Sequence, residues 1–297
     1  MTGTTLAPES PPRPQPPRQA PARRAPLVAA LGFAAAAAVV CAVFVWTRGG
    51  QALDSALLPA AEHRGYALRT SLSRPAAVVL ELLRDKATLV TLASLFAVVL
   101  MAGVVTGRAA AGVAGLLVAG CSAVLTSGLK EVVLRPDFDG AGSTSHNSFP
   151  SGHTGAAAGL LFGLLIAVPP RARWWIAAPG AAGVSVVAAA TMAAGWHRLS
   201  DVLAAVLLAC ALCCVAVALL PGTGRSHVDT GGMPWPGAGL VPPLALLPVF
   251  YSATTTPGPP PLLAVLTVTG VVVAGSVLAV TALLRGVDLR RSAPLAA

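Results

Sequence analysis

Charge is scarce in this chain. Only 10 % of its 297 residues are charged, against about 25 % in an ordinary soluble domain, and that deficit excludes a body solvated on all sides. Lysine is nearly missing: Lys86 and Lys130 are the only two. No cysteine stands outside an apolar run. Cys41, Cys121, Cys210, Cys213 and Cys214 all lie within such runs, so no disulfide framework is expected. Cys210, Cys213 and Cys214 lack the additional ligands a buried metal would need, and they read as small apolar helix residues. The apolar runs carry almost no charged or polar residue at their centres, which counts against a transporter. No internal repeat is evident. The net charge of +9 comes from arginines in tails and short connections, without an interleaved aromatic–basic surface. Nucleic acid is therefore excluded as a partner.

What the chain does have is apolar length. Hydrophobic residues make up 55 % of it, and about 20 such residues in a row cross a bilayer as a helix. Eight candidate spans are read at 27–47, 87–107, 109–129, 154–168, 174–194, 201–220, 237–256 and 262–284. The expected fold is all-α, a polytopic transmembrane bundle. Residues 1–26, rich in proline with Arg13, Arg18, Arg23 and Arg24, bury too little to fold and are expected to be a disordered tail. The first run is read as an uncleaved helix. Residues 27–220 form the expected core, and 221–297 add a helix pair, with Pro242 and Pro243 interrupting its first member, and a short basic tail. Arginines at 108, 171, 173, 225, 285, 290 and 291 and in the N-terminal tail fall on one side of an eight-span chain, which places that side in the cytoplasm. The long connection 48–86 lies opposite and is expected to hold interfacial helical segments.

The unusual polar residues gather in two outer connections, in three segments. In His197-Arg198-Leu-Ser-Asp201 the histidine and aspartate are four apart and share a helix face. There a carboxylate fixes the imidazole tautomer and stabilises its cation, which suits a histidine attacking phosphorus. The bland alternative is an interfacial hydrogen-bonded pair. Pro150-Ser151-Gly152-His153 precedes a helix, whose free N–H groups attract phosphate. Ser151 adds a hydroxyl, Gly152 allows close approach, and His153 can protonate a leaving alkoxide. The alternative here is a turn with a capping serine. Lys130 and Arg135, at the end of the third span, offer positive charge for phosphoryl oxygens or, more plainly, a basic edge facing headgroups. Asp139 and His146 lie in the same connection, and His146 is read as solvated. Trp196 is expected at headgroup level, and Glu131 is given no catalytic role.

In order and placement these segments resemble the type-2 phosphatidic acid phosphatase (PAP2) family, whose pattern is Lys-x6-Arg-Pro, Pro-Ser-Gly-His and Ser-Arg-x5-His-x3-Asp. The resemblance covers residues 27–220. It implies a six-helix core plus two extra C-terminal spans, with phosphate bound at the outer end. It implies His197 as the nucleophile that forms a phosphohistidine, Asp201 as its partner and His153 as general acid. Lys130, Arg135, Ser151, Gly152 and Arg198 would hold the phosphate. No metal ion or other cofactor is implied. The substrate would be a lipid phosphate or diphosphate, met at the extracytoplasmic face of the plasma membrane. The pattern departs from the family at four positions. Asp137 and Phe138 stand where the first motif has Arg-Pro, and Ala190 and Thr191 where the third has Ser-Arg. Arg135 and Arg198 are the nearest replacements. A degenerate relative that binds a phospholipid or polyprenyl phosphate without hydrolysis is the alternative. The displaced arginines favour it; the retained His153, His197, Asp201 and Lys130 oppose it.

Overall fold

The computed structural model describes residues 24–57, 87–138, 147–193, 195–220 and 262–284. Within them the regular secondary structure is all helix: α1 (Arg24–Phe44), α2 (Arg48–Ala56), α3 (Ala87–Val105), α4 (Ala109–Val132), α5 (Gly152–Ala167), α6 (Pro170–Ala193), α7 (Leu199–Leu219) and α8 (Leu262–Leu284). Among the described residues, five stretches are long and apolar enough to cross a membrane: Ala25–Phe44, Ala109–Val132, Pro170–Met192, Leu199–Leu219 and Thr267–Leu284. Seven of the anticipated spans coincide with helices, within a few residues at each end. The one at 237–256 lies outside the described residues, as do most of the N-terminal tail, the connection beyond Leu57, and Asp139 and His146. The connection after α1 opens with α2, a short helix capped by the Thr47 hydroxyl, which accepts from the Gly50 N–H.

α5 has only 16 residues, short for a bilayer crossing. It is the central helix and packs against α3, α4, α6, α7 and α8. A helix apolar on every face is one surrounded by other helices. Leu161, Phe162, Leu165 and Ile166 of α5 meet Ala177 and Val184 of α6, Val206 and Cys210 of α7, and Val273, Val277 and Val280 of α8 in one cluster. The last helix is thus part of this core. All five cysteines are free thiols.

The closest pairing is α4 against α5, made possible by small residues facing one another. A Cβ added to Gly163 would lie 2.3 Å from the Gly115 carbonyl oxygen, and one on Gly115 would meet the Gly163 oxygen at the same distance. Gly159 faces Ser122 and Gly155 faces Thr126 in the same way. This antiparallel register carries Gly152, at the start of α5, to the side of Lys130 in the last turn of α4. The Lys130 Nζ is 3.6 Å from where a Gly152 Cβ would stand. Gly163→Ala is expected to destabilise the protein by about 1–3 kcal/mol, the usual cost of overpacking, seen as a lower unfolding midpoint in detergent. Gly120→Ala, with open space around it, should leave the midpoint unchanged or raise it slightly.

The chain path sorts the bundle into two ends. One holds the end of α1, α2, the end of α4, the start of α5, the end of α6 and the start of α7. The other holds Arg108 and the α5–α6 junction, where Thr106 Oγ1 donates to the Ala167 carbonyl at 3.4 Å. Arg173, expected in a loop, instead lies inside α6, because that helix begins at Pro170. It turns inward and is buried. Its Nε donates to the Leu165 carbonyl at 2.9 Å and its Nη1 to the Leu284 carbonyl. It thereby caps the last turns of both α5 and α8, whose carbonyls have no helical partner.

Candidate active site

His197 is placed by the way α6 stops. Gly195 takes φ +71°, a conformation that costs glycine nothing. Its N–H donates to the Met192 carbonyl at 2.9 Å, and the Trp196 N–H donates to the Thr191 carbonyl at 3.0 Å. This is a Schellman termination. It reverses the chain within two residues, so that His197 immediately precedes α7. Thr191 is therefore spent on the helix end: it is fully buried, and its hydroxyl donates to the Ala188 carbonyl at 2.9 Å.

α7 begins with Arg198 at its N-cap, although arginine has no acceptor with which to cap. Asp201, three residues on, reaches back instead, and its Oδ2 accepts from the Arg198 N–H at 2.8 Å. The same oxygen accepts from the Ser148 hydroxyl at 2.6 Å and lies 3.4 Å from His197 Nδ1. His197 Nδ1 is also 3.1 Å from the Ser148 carbonyl oxygen. Both neighbours of Nδ1 are acceptors, so Nδ1 carries a proton. In the neutral ring the lone pair is then on Nε2. His197 is 5 % exposed and Asp201 fully buried.

α5 arrives from the other side. The Ser151 N–H donates to the Asp201 carbonyl at 2.9 Å, tying the start of α5 to that of α7. The Ser151 hydroxyl accepts from the Thr154 N–H at 3.3 Å and donates to Thr154 Oγ1 at 3.0 Å. It serves as the helix cap, and a phosphate could use it only by exchanging that bond. His153, in the first turn of α5, lies with its ring centroid 6.3 Å from that of His197, at 67° between planes. Trp196 stands against His153 at 5.9 Å. Two imidazoles separated by 44 residues thus border one space, with Lys130 beside Gly152.

The cations complete it. After α4 the chain runs without helix, held by side chains from elsewhere. Asn147 donates to the Lys130 and Val133 carbonyls at 2.9 and 2.6 Å, Trp46 Nε1 to the Leu134 carbonyl at 2.9 Å, and Gln51 to the Pro136 carbonyl at 2.9 Å. This leaves Arg135 buried, at 9 % exposure, while Asp137 is exposed. None of the three Arg135 guanidinium nitrogens has a hydrogen-bond partner, nor does Nε of Arg198. The two arginines repel one another, and burial together with that repulsion lowers the Arg135 pKa. Buried polar groups are nearly always bonded, so the unsatisfied Arg135 guanidinium, with the half-buried Arg198 near it, has the chemistry to receive an anion. Residues 112–225 match the model of the PAP2 superfamily. Comparison with curated proteins and with solved structures gives no match. The PAP2 segment runs from Gly112 in α4 through α7 and holds every residue named for this site except Trp46 and Gln51. With its long apolar helices it fits a multi-pass membrane protein of phosphatase type.

Several contributors carried no recognisable signal. Ser148 and Asn147 sit in the connection before Pro150 and act through bonds to Asp201 and to the end of α4. Asp54, on α2, accepts from both the N–H and the hydroxyl of Ser200 and is fully buried. The one hint for it was the non-capping arginine at the start of α7, a helix end that needed an acceptor from elsewhere.

Proposed function

We propose that this chain is an integral-membrane phosphatase that hydrolyses the phosphate monoester or diphosphate of a lipid through a phosphohistidine on His197. One observation carries the reading. A histidine with Nδ1 held between two acceptors faces a second histidine, and near its partner Asp201 lie the buried Arg135, whose guanidinium makes no hydrogen bond, and the half-buried Arg198. His197 Nε2 attacks phosphorus, the bond from phosphorus to the lipid oxygen breaks, and His153 gives its proton to the departing oxygen. Water, deprotonated by His153, then cleaves the phosphorus–nitrogen bond and releases inorganic phosphate. Asp201 balances the imidazolium that develops on His197. Lys130, Arg135, Arg198 and the N–H groups at Gly152 stabilise the phosphoryl oxygens.

Phosphatidic acid, phosphatidylglycerol phosphate and polyprenyl phosphates or diphosphates are the candidate substrates, since the site reads phosphate and not the tail. The site end of the bundle faces away from the cytoplasm, because Arg108, Arg171 and Arg173 lie at the other end. Purified protein in detergent, offered this panel, should release inorganic phosphate from at least one member. Each role in the reaction has a side chain to fill it, so turnover should continue in EDTA; loss of turnover, restored by a divalent ion, would require a different chemistry.

A binding protein without turnover is the second reading, favoured by the displacement of both family arginines to Arg135 and Arg198. It predicts saturable lipid-phosphate binding with no phosphate release, in wild type and His197→Ala alike.

A further inference from the structure

We propose that Asp54 is a positioning residue of the phosphate site, capping α7 from α2 and setting how much positive charge the site presents to an anion. The inference rests on the phosphate-site reading above but concerns a residue outside the PAP2-matching segment 112–225.

The need for Asp54 begins at the start of α7. The first turn of a helix has N–H groups without helical partners, and serine, threonine, aspartate or asparagine at the N-cap normally supplies an acceptor. Here the N-cap is Arg198, which cannot. Asp201 satisfies the Arg198 N–H, and Asp54 Oδ1 satisfies the Ser200 N–H at 3.2 Å, across 146 residues of sequence. The Ser200 hydroxyl adds a second bond, to Asp54 Oδ2. This arrangement frees position 198 for a guanidinium at the anion site.

A cap alone would not need a carboxylate at full burial beside a second carboxylate. The charged groups around Asp54 are Asp201 on α7 and Arg135 on the segment after α4. Lys130 and His197 act on Asp201, and Arg198 acts on Arg135. Glu131 also acts on Lys130; with Asp54 ionised, Asp54 and Asp201 both oppose the cations of the site. With it protonated the Asp54 share of that opposition is gone. Burial first, and then the charge of Asp201, push the Asp54 carboxyl up to about 7, against the Ser200 hydrogen bonds and Arg135. A dianion entering the site favours the protonated form, so anion binding and proton uptake at Asp54 are linked.

Inorganic sulfate is a suitable probe, because it stays a dianion across the range in which Asp54 titrates. Its affinity for the purified full chain in detergent should fall as pH rises from about 6 to about 8.5. In Asp54→Asn the amide oxygen still accepts from Ser200, and the group no longer titrates. That variant should bind sulfate with a pH dependence at least about fivefold shallower over the range, the lower end for coupled sites. Asp54→Ala should bind weakly at every pH. Superimposable profiles for wild type and Asp54→Asn would overturn the charge-setting role whatever the alanine variant does, including failing to fold. A folded Asp54→Ala that binds sulfate like wild type would overturn the positioning role. A wild-type chain that binds no sulfate would instead remove the phosphate site itself, and this inference with it.

Discussion

His197→Ala is expected to abolish phosphate release from every lipid that the wild-type protein accepts, a loss on the order of 10⁴–10⁶-fold, as when a covalent nucleophile is removed. The expectation follows from the ring's setting. With the Ser148 carbonyl at 3.1 Å and Asp201 Oδ2 at 3.4 Å, Nδ1 is committed as a donor, and Nε2 is the nitrogen left to attack. The helix terminations around it do not use the side chain. Gly195 turns the chain through backbone bonds, and Asp201 caps through the Arg198 N–H. The variant should therefore fold, losing roughly the 0.5–1.5 kcal/mol of one hydrogen bond. Acid-stable or base-stable labelling separates the outcomes further. A phosphohistidine on the wild-type chain is acid-labile and base-stable, and it should vanish in the variant. Normal turnover by His197→Ala would assign the nucleophile elsewhere.

The architecture was largely legible because membrane helices must satisfy their backbone internally and so appear as long apolar runs. α1, α3, α4, α6, α7 and α8 announce themselves in this way. α5 reads as a short run between apolar neighbours, and its central position explains its length. The side chains proposed for the chemistry stand in local patterns, though not quite as the spacing implied: His197 meets Asp201 from ahead of the α7 N-cap and not from a shared helix face, and Gly152 and His153 already belong to α5. What could not be read was long range. Nothing near Asp54 says that its partner is Ser200, and nothing near Asn147 says that it holds the end of α4. Trp46 and Gln51 bond the residues on either side of Arg135, Leu134 and Pro136, from 88 and 85 residues away. Ser151 shows the reverse limit. Its place in the motif gave it a ligand's role, yet its hydroxyl is engaged with Thr154. The departures at Asp137 and Thr191 also change meaning with the fold. Thr191 belongs to the helix end, and Asp137 is exposed while Arg135 takes the buried place.

Arg135→Ala should cut the rate of phosphate release by about 100–1000-fold, the usual cost of one donor to a developing phosphoryl charge. Its effect on stability should have the opposite character. In the unliganded protein the Arg135 guanidinium is buried, makes no hydrogen bond and is repelled by Arg198. A buried charge without a hydrogen bond is a cost to the fold that the attraction of Asp54 and Asp201 offsets, so its removal should leave the unfolding midpoint in detergent nearly unchanged. Arg198→Ala should bring a comparable loss of rate, since the two guanidinium groups act on one ligand, and the double variant should lose less than the product of the two. Arg135→Lys keeps the charge but not the planar fork, and should recover only part of the rate. A residue kept for structure would show the reverse, a fall in midpoint with the rate of the folded fraction intact. That result would leave the displaced family arginines without replacements and favour the binding protein over the enzyme.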